Sequence, residues 1–264
     1  MVLRRLRRLF LAFALLGLCP ALAHAACGAA GAPTGVQRKT LEVAGKARTY
    51  VLSVPEGYRP GTSLPLVFAW HGLGSSGEAF RSNYTVEEEA GGAAIFVYPD
   101  GLPQPNYKNR PAWDLGPKGD VLFFDAMLAD VQRSYCIDRA RVFSTGHSFG
   151  GYMTHTLGCL RPEALRAIAP VSGGLVPKAC GKPVSTWLTH AANDPVVAFK
   201  VGTAARDHWR SAASCAETTR PADPPGCVTY EKCTVPVEWC THDLKHAWPP
   251  FASAAIWRFF AGLK

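Results

Sequence analysis

Three residue types, in a fixed order along this chain, have the chemistry for nucleophilic catalysis. A serine lies in Gly146-His147-Ser148-Phe149-Gly150, an acid in Ala192-Asn193-Asp194-Pro195 and a histidine in Lys245-His246-Ala247-Trp248-Pro249. A serine hydroxyl is a weak nucleophile near neutral pH. It needs a base to take its proton and a third group to orient that base and stabilise its cation. The G-x-S-x-G pattern is short enough to arise by chance, so its weight comes from context. It follows the β-branched and aromatic run Arg141-Val142-Phe143-Ser144 and leads into a helix-forming stretch at 152–160. A serine on a sharp strand-to-helix turn has its hydroxyl pushed out of the sheet. Glycines at 146 and 150 remove Cβ atoms where such a turn would clash, and they tolerate unusual backbone angles.

Asp194 follows a stretch at 185–190 that reads as a strand. That places it at the carboxyl edge of a sheet, where catalytic groups of open α/β folds sit. An N-cap or an Asx turn before Pro195 is the structural role open to it. Of the other downstream acids, Asp207 falls in a helical stretch, Asp223 in a cysteine-rich loop and Asp243 beside the histidines. His246 lies between the last strand and the closing helix. His242 is its near rival, and His208 falls on a helix face. A tetrahedral oxyanion needs two aimed N–H donors. The backbone of Phe149 supplies one, and Leu73 in the loop His71-Gly72-Leu73-Gly74 is the candidate for the other. That loop lacks the Lys-Ser/Thr of a phosphate-binding loop. Tyr107, Trp113, Trp248 and Phe251 crowd the same loops, and Trp113 and Trp248 are the candidate contacts for an aromatic or polymeric acyl group. This chemistry requires no cofactor, and no Cys/His cluster has metal-ligand spacing.

Elements with two kinds of period must hold these groups. Segments 40–43 and 49–54 read as a hairpin. The continuous apolar run at 64–70 reads as a strand buried on both faces of a parallel sheet, 93–98 as the next buried strand, and 167–172, 185–190 and 235–240 as further strands. Helical stretches are expected at 78–90, 199–213 and 253–263. Another is expected after an Asp120 N-cap, where Val121, Phe124, Leu128, Val131 and Tyr135 recur at spacings of three and four. Residues 102–119 carry four prolines and read as one long loop of functional length. Residues 214–227 read as a second loop pinned by cysteines. The alternation predicts an α/β fold: a doubly wound, mostly parallel sheet with helices on both faces.

The first 25 residues read as an address. Arg4, Arg5, Arg7 and Arg8 precede an apolar stretch at 9–18 that is too short to span a bilayer. Ala23-His24-Ala25 then fits a cleavage site. Residues 26–264 are expected to form one domain, secreted and without stable membrane association. The net charge of +8 falls to +4 once those four arginines are removed, and no Lys/Arg run remains to read as a nucleic-acid footprint. Of nine cysteines, Cys19 leaves with the signal. The even remainder reads as disulfides in an oxidising compartment, although spacing does not fix their pairing.

Taken together, the motifs resemble secreted feruloyl esterases and polyhydroxybutyrate-depolymerase-type carboxylesterases of the α/β-hydrolase superfamily. The likeness extends over essentially all of 26–264. It is carried by Gly45-Lys46-Ala47-Arg48-x-Tyr50, by Tyr98-Pro99-Asp100-Gly101-Leu102 with Trp113, and by Tyr135-Cys136-Ile137-Asp138. It continues in Gly146-His147-Ser148-Phe149-Gly150-Gly151, His190-x-x-x-Asp194 and His246-x-Trp248-Pro249. The resemblance implies an α/β-hydrolase fold, with Ser148, Asp194 and His246 as triad and Leu73 and Phe149 as oxyanion donors. It also implies bridges Cys27–Cys136, Cys159–Cys180 and Cys215–Cys233, leaving Cys227 and Cys240 as an additional pair. The expected partner is an ester, first a hydroxycinnamoyl ester of plant polysaccharide. Hydroxyalkanoate oligomers and acetylxylan are the alternative substrates, and a non-catalytic carbohydrate-binding relative is the outside reading.

Overall fold

The apolar runs pair as their composition demands. In the computed structural model, which describes residues 27–29 and 31–263, six parallel strands form the centre of a ten-stranded sheet. The expected export signal at 1–25 lies outside the described residues. The chain runs through β1 (Gly35–Val43), β2 (Lys46–Val54), β3 (Leu64–Trp70), α1 (Gly77–Asn83), α2 (Val86–Ala90) and β4 (Ile95–Pro99). A small separate hairpin follows, β5 (Leu102–Gln104) and β6 (Arg110–Ala112), and then α3 (Asp120–Ser134), β7 (Ile137–His147) and α4 (Phe149–Leu160). The rest comprises β8 (Ala167–Val171), β9 (Ser185–Ala191), α5 (Phe199–Ala212), β10 (Thr219–Ala222), β11 (Cys227–Tyr230), β12 (Val237–His242) and α6 (Ala252–Gly262). Strand order is β1-β2-β4-β3-β7-β8-β9-β12-β11-β10. Neighbours from β4 to β12 run parallel, and antiparallel strands close both edges.

Alternation along each strand feeds two cores. Leu66, Phe68 and Trp70 pack with Phe124, Met153, Leu157 and Trp209 of α3, α4 and α5. Val67, Ala69 and Phe143 pack on the other face with Phe80, Val86, Ile256 and Phe260 of α1, α2 and α6. Phe143 and Phe260 stack with centroids 4.4 Å apart. Each such large side chain contributes roughly 1.5–3 kcal/mol through burial. Four disulfides staple the periphery: Cys27–Cys136, Cys159–Cys180, Cys215–Cys233 and Cys227–Cys240.

Four local expectations are corrected. The helix expected over 78–90 is two helices, broken at Tyr84, which is extended (φ −125°, ψ 121°). Asp120 does not cap α3. Gly119 holds that position, while the Asp120 carboxylate is buried, paired with Arg48, and accepts the Asp114 N–H at 2.7 Å. The long loop at 102–119 contains the β5–β6 hairpin. The loop at 214–227 contains β10 and ends on the first residue of β11.

Candidate active site

Every group singled out from the sequence for the reaction lies at the carboxyl ends of the parallel strands. β7 ends at His147, and Ser148 makes the turn into α4 with φ 56° and ψ −117°, a conformation costly for any residue with a Cβ. The flanking glycines supply room rather than dihedral freedom. A Cβ on Gly150 would lie 1.8 Å from the Trp70 carbonyl oxygen, and one on Gly146 would lie 2.4 Å from that of Gly150. The unusual dihedral that the sequence assigned to the glycines falls on Ser148 itself.

Ser148 Oγ lies 2.8 Å from His246 Nε2, and His246 Nδ1 lies 2.7 Å from Asp194 Oδ2. Asp194 combines the two roles weighed for it. Its Oδ1 accepts from the Val196 and Val197 N–H groups at 2.8 and 2.9 Å, as an Asx turn does, while Oδ2 faces the histidine. Burial alone would raise its pKa. The bonds from His246, Val196 and Val197 outweigh that and hold the carboxyl below its ordinary value. His190 braces this turn: its Nε2 donates to the Val197 carbonyl at 2.8 Å and lies 3.5 Å from Asp194 Oδ2. Gly202 makes room for that ring, because a Cβ there would sit 2.3 Å from His190 Nδ1. Asn193 clips the base to the acid. Its Nδ2 donates to the Asp243 carbonyl at 2.6 Å, and its Oδ1 accepts the Lys245 N–H at 2.9 Å. The rival His242 does not reach the serine; its Nδ1 accepts from the Leu244 N–H.

The donor loop leaves β3 beside the serine. An added Cβ on Gly72 would lie 3.5 Å from Ser148 Cβ. Among the described residues, neither the Leu73 N–H nor the Phe149 N–H has an acceptor. The loop is held from behind. His71 is fully buried; its Nδ1–H donates to the Gly72 carbonyl at 2.7 Å and its Nε2 accepts the Gly101 N–H at 2.9 Å. Burial keeps this imidazole neutral by lowering its pKa. The hairpin adds a clamp: Gly74 N–H donates to the Pro111 carbonyl at 2.7 Å, and Arg110 Nη2 to the Leu73 carbonyl at 2.9 Å.

Trp113 is not a wall of the site. It is 2% exposed, and its Nε1 donates to the His71 carbonyl at 2.8 Å, so it supports the donor loop from the core. Trp248 stands one layer back. It stacks on Tyr84 at 4.6 Å and meets Phe80 edge-on at 5.4 Å. Phe80 and Tyr84 themselves line a cavity of about 390 Å³ with Ser148, His246, His147 and Arg110. The Tyr84 hydroxyl lies 3.0 Å from His147 Nδ1. Burial and the adjacent His246 push His147 down to about 3, so it stays neutral beside the base. Sequence reasoning missed Phe80, Tyr84 and Arg110, and it named His190 and Asn193 within motifs without assigning them a role. A signal for Tyr84 was present: Asn83-Tyr84-Thr85-Val86 is a run of weak helix formers inside the expected helix. A larger cavity of about 550 Å³ lies at the β10 edge, lined by Arg220, Glu238 and Arg258 among others. It holds no nucleophile–base pair, so size does not mark the reactive site.

A parallel sheet with its serine on a strand-to-helix elbow, and an acid and a histidine on later loops, defines an α/β-hydrolase-fold hydrolase. Solved structures agree on the fold. An acetyl xylan esterase of Aspergillus awamori superposes with a TM-score of 0.72 at 16% identity, over 86% of this chain and 99% of that one. A ferulic acid esterase of Anaeromyces mucronatus gives 0.60 at 16% identity, over 90% and 94%. No family model matches the sequence. Curated relatives are more specific. Feruloyl esterase C of Emericella nidulans is 32% identical over 232 residues, 81% of this chain and 83% of that protein. Feruloyl esterase D of Neurospora crassa is 30% identical over an alignment of 282 positions, covering 94% of each. The chain belongs to the feruloyl esterase family and is a carboxylic ester hydrolase.

Proposed function

We propose that this protein hydrolyses hydroxycinnamoyl esters of plant cell-wall polysaccharide through an acyl-enzyme on Ser148. The observation that carries the reading is the Ser148–His246–Asp194 chain, at 2.8 and 2.7 Å, opening onto a cavity walled by Phe80 and Tyr84. Ser148 Oγ attacks the ester carbonyl as His246 Nε2 takes its proton. Asp194 Oδ2 accepts from His246 Nδ1–H, fixes the tautomer and stabilises the imidazolium. The Leu73 and Phe149 N–H groups receive the oxyanion; one such donor is worth roughly 10²–10³ in rate. His246 returns the proton to the leaving alcohol, and water then releases the acid by the same steps. The aromatic wall favours a planar, aromatic acyl group over acetyl or hydroxybutyryl.

Replacing Ser148 by Ala tests the chemistry: turnover of methyl ferulate should fall by roughly 10⁶-fold with an unchanged unfolding temperature. Normal turnover in that variant sinks the mechanism. A panel of methyl ferulate, acetylated xylan and hydroxybutyrate oligomers tests the substrate, and higher kcat/KM on hydroxybutyrate would overturn it. We also infer export, supported by the four bridges, which persist in oxidising compartments.

A further inference from the structure

Arg110 contributes the only guanidinium among the residues lining the cavity at Ser148, and no carboxylate lines it. The guanidiniums of Arg38, Arg48, Arg81 and Arg161 each face an acid. Among the described residues Arg110 has no such partner; Nη2 is committed to the Leu73 carbonyl at 2.9 Å. The group is held over the donor loop by the local backbone. Gly74 has φ +78°, and a Cβ there would lie 2.6 Å from Arg110 Nε. The hairpin that carries it, 102–112, also holds Lys108 and contains no acid. The same cavity is also lined by apolar Phe80 and Ala79. A desolvated carboxylate is disfavoured against such a wall. Arg110 is exposed, so an anion beside it keeps part of its hydration.

We propose that the β5–β6 hairpin is an anion-receiving rim, and that Arg110 selects esters whose alcohol part carries a carboxylate. The aromatic recess takes the acyl group, and the leaving alcohol lies toward solvent, beneath the guanidinium. This rests on the reading that esters are cleaved at Ser148 and goes beyond it by specifying charge on the alcohol. A unit charge pair roughly 8 Å apart at the surface corresponds to about a 2- to 30-fold rate preference, reduced by salt.

The test compares kcat/KM on two esters of one acyl group: the ester of glycolic acid, with a free carboxylate, and the ester of methyl glycolate. Acetyl and feruloyl versions are both measured. Failure of the feruloyl versions alone counts against the acyl assignment and leaves the charge comparison readable on acetyl. Because Arg110 also holds Leu73, Arg110→Gln should slow both esters, so the readout is the charged-to-neutral ratio. That ratio should drop at least twofold in Arg110→Gln and be largely retained in Arg110→Lys. In the unaltered protein it should shrink in 0.5 M salt, which requires no variant. An unchanged ratio in Arg110→Gln, or one indifferent to salt, would overturn the proposal and leave Arg110 as a clamp on the donor loop.

Discussion

His155 gives a direct measure of what burying a neutral imidazole does to this fold. It lies on α4, 1% exposed, and its Nδ1 accepts the Trp209 indole N–H at 2.9 Å from α5. Burial, reinforced by nearby His208 and His190, pushes it down to about 3 from an ordinary 6.5. The folded-state value is depressed, so between the two values the unfolded chain binds a proton that the native state does not. Stability is therefore fully present above about pH 6.5 and is lost as pH falls toward 3. The slope approaches 1.36 kcal/mol per pH unit. By pH 4 this one residue has removed about 3 kcal/mol from a native state worth about 5–15 kcal/mol. His155→Gln keeps an acceptor for Trp209 and removes the titration. Urea unfolding at half-unit steps from pH 7.5 to 4 measures both proteins. Subtracting the two curves cancels every other titrating group, including His147. Between pH 5.5 and 4.5 the variant's stability should fall by about 1.3 kcal/mol less than the wild type's. Parallel curves would refute the claim that His155 is held neutral by its surroundings.

Asn193→Ala removes both bonds that register the His246 loop on Asp194, and misplacement by about 1 Å can cost on the order of 100-fold. We expect kcat to fall 10- to 100-fold, by that same order-of-magnitude argument, with KM for methyl ferulate nearly unchanged; a change confined to KM would show that the clip acts on substrate rather than on the base. For export, amino-terminal sequencing of the protein recovered from culture medium or periplasm should begin at Ala26. Alkylation without reduction should leave Cys27, Cys136 and the six other bridged cysteines unmodified, and two or more labelled thiols would contradict the four-bridge arrangement.

What the sequence made legible follows from how much each constraint narrows the choice of residue. β3 has the expected bounds, because a strand buried on both faces must be apolar throughout. Ser148, Asp194 and His246 stood out because few residue types can do their chemistry, and the structure brings the three together. Direction is harder to read than type. Trp113 and Trp248 were recognisable as aromatic groups near the site, but nothing in their identity says that one faces the core and the other backs Tyr84. The β10 edge misled for a different reason. Thr219-Arg220-Pro221-Ala222 is polar and contains a proline, which reads as loop. An edge strand pairs on one side only, so Pro221 loses no ladder bond there. Asp120 has the composition of a cap, and only the buried Arg48, 72 positions earlier in sequence, reveals its actual use.

The strained serine shows why site and fold cannot be separated here. Its backbone conformation costs of order 1–3 kcal/mol, and nothing within the elbow itself offsets that. The surrounding sheet holds it in place. Ser148 N–H donates to the Val171 carbonyl at 2.9 Å, and Tyr152 N–H donates to the Ser148 carbonyl at 3.1 Å. The register pairs Trp70 with Gly146 on one side and His147 with Val171 on the other. That same register sets the Gly150 backbone against the Trp70 carbonyl, so the serine cannot relax by backing away from β3. The donor loop begins one residue after Trp70. A shift of β3 against β7 would therefore displace the Leu73 and Phe149 N–H groups relative to each other, and with them the point where the oxyanion must sit. Core substitutions at this seam, such as those at Phe68 or Phe143, should consequently act on turnover through geometry even where the protein stays folded.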